Sequence, residues 1–271
     1  MTRSRKRTVG NQIPKIRSKG LKAGDQKFEI TSWELEDGLK NYAIILAAGR
    51  GTRMNREVNK VYLPLGDRPV IAHTLDAFYR ADSIHRIVLV TAPGEEEYIR
   101  ENIFRKHPPQ KPITIVFGGS ERQYSVRNGL KELPKDTETV AIHDGARPLI
   151  TPQVIDESVQ WAVKHGAAVA GMPVKDTIKE AEPGGRVRRT LRRESLWQVQ
   201  TPQTFRYSLI IEAHKKAAAD DYVATDDSAL AEYLGSPVYM IPGGYDNIKI
   251  TTPEDIDIAS RILIGRQGGQ L

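Results

Sequence analysis

Four cations and one carboxylate stand beside small, glycine-rich turns. Arg53 and Lys60 follow the glycines of "AAGRGTRMNREVNK", seven residues apart. Asp144 and Arg147 fall in "HDGARP", and Lys249 falls in "NIKITTPEDI". Glycine turns let backbone amides approach anionic oxygens, and nearby cations neutralise them. Arg53 and Lys60 beside the first loop suit a triphosphate; a plain strand–helix turn with surface cations is the bland alternative. The spacing separates this loop from two better-known phosphate binders. Met54 takes the place where G-x-G-x-x-G needs its third glycine, and no G-K-[ST] follows. A dinucleotide site and a Walker A loop are both disfavoured.

A second glycine turn, "GGSERQYSV", carries Gly119, Ser120, Arg122 and Ser125. Ser120 reads as a helix N-cap, as a ligand donor, or as both. Asp144 reads as a metal-facing or hydroxyl-binding carboxylate, and His143 beside it as structural. No other histidine lies at ligand spacing, so zinc is disfavoured. There is no G-x-S-x-G elbow and no cysteine. Thiolate and serine-elbow chemistry are therefore disfavoured. Phosphoryl or nucleotidyl transfer, which runs on positioning and charge stabilisation, fits the cation count better. In "TDDSAL" Thr225 reads as a helix cap with two aspartates facing the helix dipole, metal binding being the lesser reading. In "TTPEDI" Thr252 reads as a cap before Pro253.

These residues need elements to hold them. Apolar runs at 42–47, 86–91, 113–117, 139–143, 167–172 and 238–241 read as buried strands. Helical stretches at 70–80, 95–106, 121–132, 152–165, 207–219 and 226–234 alternate with them. The pattern predicts an α/β fold with a doubly wound, mostly parallel, Rossmann-like sheet. Residues 173–200 break the alternation. Polar, β-branched runs flank Glu182-Pro183-Gly184-Gly185, which predicts a protruding β-hairpin with little to bury. Such a hairpin is marginal alone, so a partner subunit is its natural support.

The chain has 271 residues, 39% of them hydrophobic, and a net charge of +6. Residues 1–27 carry nine Lys/Arg and one acid, so the rest of the chain nets −2. Residues 1–40 thus read as a basic, disordered extension and linker, with an amphipathic helix possible over 28–40. The domain proper is expected at 41–271. An anionic partner for the tail is the sharper reading, and plastid-type targeting a minor one. No run spans a membrane, and a cysteine-free chain fits the cytoplasm.

Taken in order, "AAGRGTRM", "NKVYLPLGDRPVIAHTL", "GGSERQYSV", "HDGARP", "PVKDTIK", "LWQVQTPQTF", "TDDSAL" and "NIKITTPEDI" resemble the 2-C-methyl-D-erythritol 4-phosphate cytidylyltransferases over residues 42–264. The resemblance implies transfer of CMP from CTP to a sugar-alcohol phosphate, with Mg²⁺. It implies that Ala47, Ala48, Gly49 and Gly51 lie along CTP and that Gly119, Ser120 and Ser125 read its cytosine and ribose. It gives Arg53 and Lys60 to the triphosphate. It gives Asp144 and Arg147 to the sugar-alcohol phosphate and the metal-bound triphosphate, and Thr177, Arg193, Thr201 and Lys249 to substrate binding, with Arg53, Lys60, Lys249 and Arg193 as the catalytic cations. Thr177, Arg193 and Thr201 lie in or beside the hairpin, which resembles the family's homodimer arm. Thr177 and Arg193 would then serve the neighbouring site. The related ribitol-5-phosphate cytidylyltransferases are the nearest alternative. "AAG" and "GARP" favour the methylerythritol enzymes. A nicotinamide-dependent oxidoreductase and a tail-driven RNA binder are the rivals from other classes.

Overall fold

Strands this apolar need cover on both faces, and the fold supplies it. The computed structural model describes residues 27–30, 40–49 and 59–268. In chain order the elements are β1 (Lys27–Ile30), β2 (Asn41–Leu46), β3 (Pro64–Leu65), β4 (Arg68–Pro69), α1 (Val70–Arg80) and β5 (Arg86–Thr91). Next come α2 (Glu96–Tyr98, continued by a π turn over Ile99–Phe104), β6 (Ile113–Phe117), α3 (Arg122–Lys131), β7 (Thr139–Asp144), α4 (Pro152–His165) and β8 (Ala167–Pro173). The chain ends with β9 (Lys179–Ala181), β10 (Val187–Thr190), β11 (Trp197–Arg206), α5 (Tyr207–Ala219), α6 (Asp227–Tyr233), β12 (Tyr239–Pro242) and α7 (Pro253–Gln267).

Eight strands form one sheet in the order β1-β6-β5-β2-β7-β11-β8-β12. β6, β5, β2 and β7 run parallel, as do β8 and β12. The expected doubly wound, mostly parallel sheet is therefore present. Alternate residues of β2 face opposite layers. Ala43 and Ile45 join the core under α1, α4 and α7, while Tyr42 and Ile44 join the core under α3, α5 and α6. The chain leaves β2 outward to β5 and β6, then returns to β7 on the other side. That reversal opens a crevice at the carboxyl ends of β2 and β7, where such sheets bind ligands.

Four local readings need correction. β11 is an antiparallel strand inside the sheet, paired to both β7 and β8, although the sequence assigned its first residues to the arm. Its alternating Gln/Thr pattern and central Pro202 hide it from a search for apolar runs. Residues 28–30, read as the start of a helix, form the end of edge strand β1, which pairs antiparallel with β6. Asp226, not Thr225, caps α6, accepting from the Ala229 N–H at 2.8 Å. Glu121, not Ser120, takes the N-cap place of α3, and it makes no side-chain cap bond. Thr151, Pro152 and Gly166 bound α4 as ordinary start and stop signals do.

The expected hairpin is β9 paired with β10. Its turn places Gly184 and Gly185 at φ of +97° and +86°, a region that favours glycine. Glu180 pairs with Arg188 at 3.1 Å and with Arg189. Every β10 residue is exposed, and so are Trp197 and Val199 at the start of β11.

His73 gives the fold an acid sensitivity. Arg68 can only donate, so the contact from its Nη2 at 3.3 Å makes His73 Nδ1 an acceptor. Nε2 then carries the proton and donates to the Leu65 carbonyl at 2.8 Å. Burial pushes the pKa of His73 down, as it does for His214. A depressed folded pKa means that the unfolded chain binds more protons below its own pKa of about 6.5. Stability is thus full above about pH 6.5 and is lost as the pH falls below it. The urea midpoint should drop between pH 7.5 and pH 5, less steeply in His73→Gln. An unchanged midpoint would contradict this.

Candidate active site

The crevice between β2 and β7 is a cleft of about 800 Å³. Three strand ends supply its floor: Ala47, Ala48 and Gly49 after β2, Gly118 to Glu121 after β6, and Asp144 closing β7. Lys60 and Lys249 enter from two sides, and Arg122 and Ser125 from α3.

Asp144 organises the charge. Its carboxylate meets Lys249 Nζ at 2.6 Å and Arg122 Nε at 3.6 Å. Burial alone would raise its pKa. Lys249 and then Arg122 outweigh that, holding the carboxyl well below the usual range. Arg122 in turn meets Asp227 at 2.7 Å, where Asp227 is only 1% exposed. So Asp227, read from sequence as a dipole partner, is a buried counter-ion that holds Arg122 against the cleft. The signal was two adjacent acids, of which only one can cap.

The loop carrying Lys249 is pinned from beneath. The Ile250 N–H donates to the Ala146 carbonyl at 2.8 Å, and Arg147 Nη1 donates to the Asn247 carbonyl at 2.8 Å. Asn247 Nδ2 donates to the Thr201 carbonyl at 3.0 Å. Thr201 supports Asp144 itself, its hydroxyl accepting the Asp144 N–H at 3.1 Å. That leaves the Thr201 O–H to donate to His143 Nδ1 at 3.0 Å, and His143 Nε2–H to donate to the Arg147 carbonyl at 3.3 Å. His143 is fully buried, and burial lowers its pKa to about 3. It is neutral and committed on both ring nitrogens, as a structural residue would be.

Ser125 closes the second glycine turn. Its Oγ accepts the Gly119 N–H at 3.0 Å and donates to the Glu121 carbonyl at 3.1 Å. Gly118 lets this turn approach the first. A Cβ there would lie 2.6 Å from Ala48 Cβ and 2.9 Å from Ser125 Oγ. Neither neighbour is the free end of a flexible chain. Gly118→Ala should push the two turns apart and raise the KM for the ligand bound between them roughly tenfold, the size of a modest overpacking penalty. Steady-state kinetics would check this; an unchanged KM would mean that the turns separate without cost.

Of the residues named from sequence, the cleft gathers Ala47, Ala48, Gly49, Lys60, Gly119, Ser120, Ser125, Asp144 and Lys249. Arg147 and Thr201 lie behind it as supports. Thr177 and Arg193 are exposed on the arm, with Arg193 Nη1 donating to the Lys175 carbonyl at 3.1 Å. Gly51 and Arg53 lie outside the described residues, as does the basic tail. Among the described residues no three His, Cys, Asp or Glu side chains cluster as a metal cage. Among the described residues, only Asp144 and Glu121 bring carboxylates to the cleft lining. One or two carboxylates suit Mg²⁺, which is commonly held jointly with substrate phosphates.

Fold and cleft together suit an α/β enzyme that receives an anionic ligand between two glycine turns and two lysines. The family model described as 2-C-methyl-D-erythritol 4-phosphate cytidylyltransferase matches residues 42–265. The enzyme of that name from Pelotomaculum thermopropionicum is 50% identical over 226 residues, covering 83% of this chain and 95% of its own. That from Alkaliphilus oremlandii is 48% identical over 236 residues, covering 87% and 100%. The crystal structure of 4-diphosphocytidyl-2C-methyl-D-erythritol synthase from Anaerococcus prevotii superposes with a TM-score of 0.74 at 35% identity, covering 84% of this chain and 97% of that one. The chain belongs to the 2-C-methyl-D-erythritol 4-phosphate cytidylyltransferase family. These matches do not favour the ribitol-5-phosphate alternative. Among the described residues no helix is long and apolar enough to cross a membrane.

Proposed function

We infer that the chain transfers CMP from CTP to 2-C-methyl-D-erythritol 4-phosphate in isoprenoid precursor synthesis. A phosphate oxygen of the substrate bonds to the α-phosphorus of CTP. The bond from that phosphorus to the α–β bridging oxygen breaks, and pyrophosphate leaves. The products are pyrophosphate and 4-diphosphocytidyl-2-C-methylerythritol. The second pKa of a phosphomonoester is about 6, so the nucleophile is already ionised at neutral pH and needs no base. That suits a site whose nearest histidine, His143, is buried and neutral.

The observation that carries this reading is the meeting of Lys60, Lys249, Asp144 and two glycine turns in one cleft. Ala47, Ala48 and Gly49, with Gly51 beyond them, follow the nucleotide; Gly119 and Ser120 flank its base and ribose, and Ser125 fixes their turn. Lys60 and Arg53 lower the repulsion between two anions. Lys249, held by Asp144, takes the substrate phosphate, with Arg147 and Thr201 supporting that side. Asp144 is the carboxylate that would hold Mg²⁺, which supplies further charge neutralisation.

The arm is proposed to pair two copies as a homodimer, so that Thr177 and Arg193 complete the partner's site. Its exposed β10, Trp197 and Val199 support this. Residues 41–271 are taken as the catalytic domain and 1–40 as a basic extension for an anionic partner, its residues 27–30 adding edge strand β1 to the sheet. The bacterial relatives support a cytoplasmic location. A pyrophosphate-release assay tests the reaction. Turnover is expected with CTP and methylerythritol phosphate, and not with ribitol phosphate or with ATP, GTP or UTP. Equal turnover of ribitol phosphate would overturn the substrate assignment.

A further inference from the structure

Lys60 sits on a short 3-10 turn, Lys60–Tyr62, and a turn of three residues does not fix its own place against the sheet. Something must hold it, and one carboxylate is in position to do so. Glu95 follows β5 and is not itself part of the cleft lining. Its carboxylate accepts from Tyr62 Oη at 2.8 Å, from the Ala92 N–H at 3.2 Å, and from Asn59 Nδ2 at 3.3 and 3.4 Å. The same Asn59 amide donates to the Ala47 carbonyl at 2.6 Å, and its Oδ1 accepts the Val61 N–H at 3.3 Å. Asn59 and Tyr62 are both buried, and the Tyr62 ring lies 4.9 Å from that of Tyr98.

Two pieces of chain therefore meet on one anion: the turn carrying Lys60, gripped by the residue before it and the residue two beyond it, and the turn after β5. Through Asn59 the same network reaches Ala47 in the first glycine turn. We propose that Glu95 is a positioning residue that sets Lys60 against the glycine turn after β2, acting through Asn59 and Tyr62. This rests on Lys60 being the cation that serves the transferring phosphate.

The chemistry of the contacts makes the role specific to a carboxylate. All three partners are donors, and an ionised carboxylate only accepts. A glutamine of the same shape offers one acceptor and adds two donors, so at least one partner is left facing a donor. Burial raises the Tyr62 hydroxyl pKa, and Glu95 beside it raises it further, so the phenol stays protonated and donating.

The test is a double-mutant cycle on the full chain, read by pyrophosphate release and by thermal midpoint. Glu95→Gln should lower kcat about tenfold or more, the scale of a small misplacement of a catalytic group, with the fold retained. In a Lys60→Ala background the same change should cost less than about twofold, because the group it positions is gone. Tyr62→Phe removes one of the three donors and should show the same non-additivity at smaller size; it carries the test if Glu95→Gln does not fold. Equal losses in both backgrounds, or normal kcat in the single variants, overturn the proposal. Normal turnover in Lys60→Ala alone would instead remove the reading beneath it, and is distinguishable because that variant leaves Glu95 in place.

Discussion

Lys60→Ala lowers turnover by roughly a hundredfold or more, while the protein stays folded. One fixed donor aimed at developing transition-state charge is typically worth about 3 kcal/mol, and each 1.4 kcal/mol is tenfold in rate. The nucleophile and the group it attacks are both anions, so charge repulsion is the main barrier to their approach. Lys60 lines the cleft beside the first glycine turn, where the proposed reaction would set the triphosphate. Its removal deletes a charge without opening the core, since Lys60 is only partly buried. The loss should appear in kcat more than in the KM for methylerythritol phosphate, because Lys249 stays on that side, paired to Asp144 at 2.6 Å. Near-normal kcat with an unchanged thermal midpoint would remove Lys60 from the mechanism.

Mixing two inactive variants should restore activity. Arg193 is exposed on the arm and is not part of its own chain's cleft lining. If it acts on the partner, Arg193→Ala is about as slow as Lys60→Ala, by the same donor argument. A heterodimer of the two variants then holds one doubly damaged site and one intact site. Random pairing makes half the dimers heterodimers, so the mixture recovers about a quarter of wild-type activity, as two-fold symmetry requires. Each variant alone stays near one-hundredth. Co-expression with two distinguishable tags, followed by the pyrophosphate assay, reads the result. A mixture no more active than its components would place Arg193 in its own subunit's site, or outside catalysis.

The alternation of strands and helices was legible where strands such as β2, β5 and β6 are mostly apolar runs and the helices between them lie between punctuating residues. β5, β6, α1, α4 and α5 fall at the boundaries that their patterns predict. β11 was not legible. Its buried half alternates Thr and Gln with aromatic and proline residues, and its neighbours in the sheet are distant in sequence. The cleft was legible where glycines and cations share a short segment. It was not legible where a contact spans the chain. Glu95 and Asn59 are 36 residues apart, and nothing local to either marks the other. Asp227 and Arg122 are likewise joined only by the fold.

β11 also limits where the chain can change its length. Its first residues lie exposed at the base of the arm, and its later residues pair on both sides within the sheet. Thr201, which holds the Asp144 amide, lies between these two parts. Pairing with β8 already shifts register between Val199 and Gln203, so a residue inserted before Thr201 must either enlarge that irregularity or move the Thr201 hydroxyl off the Asp144 amide. The hairpin tip at Pro183-Gly184-Gly185 is exposed and carries no such register. Insertions, tags or a lengthened arm belong at that tip, where added residues leave the sheet and the Asp144 support untouched.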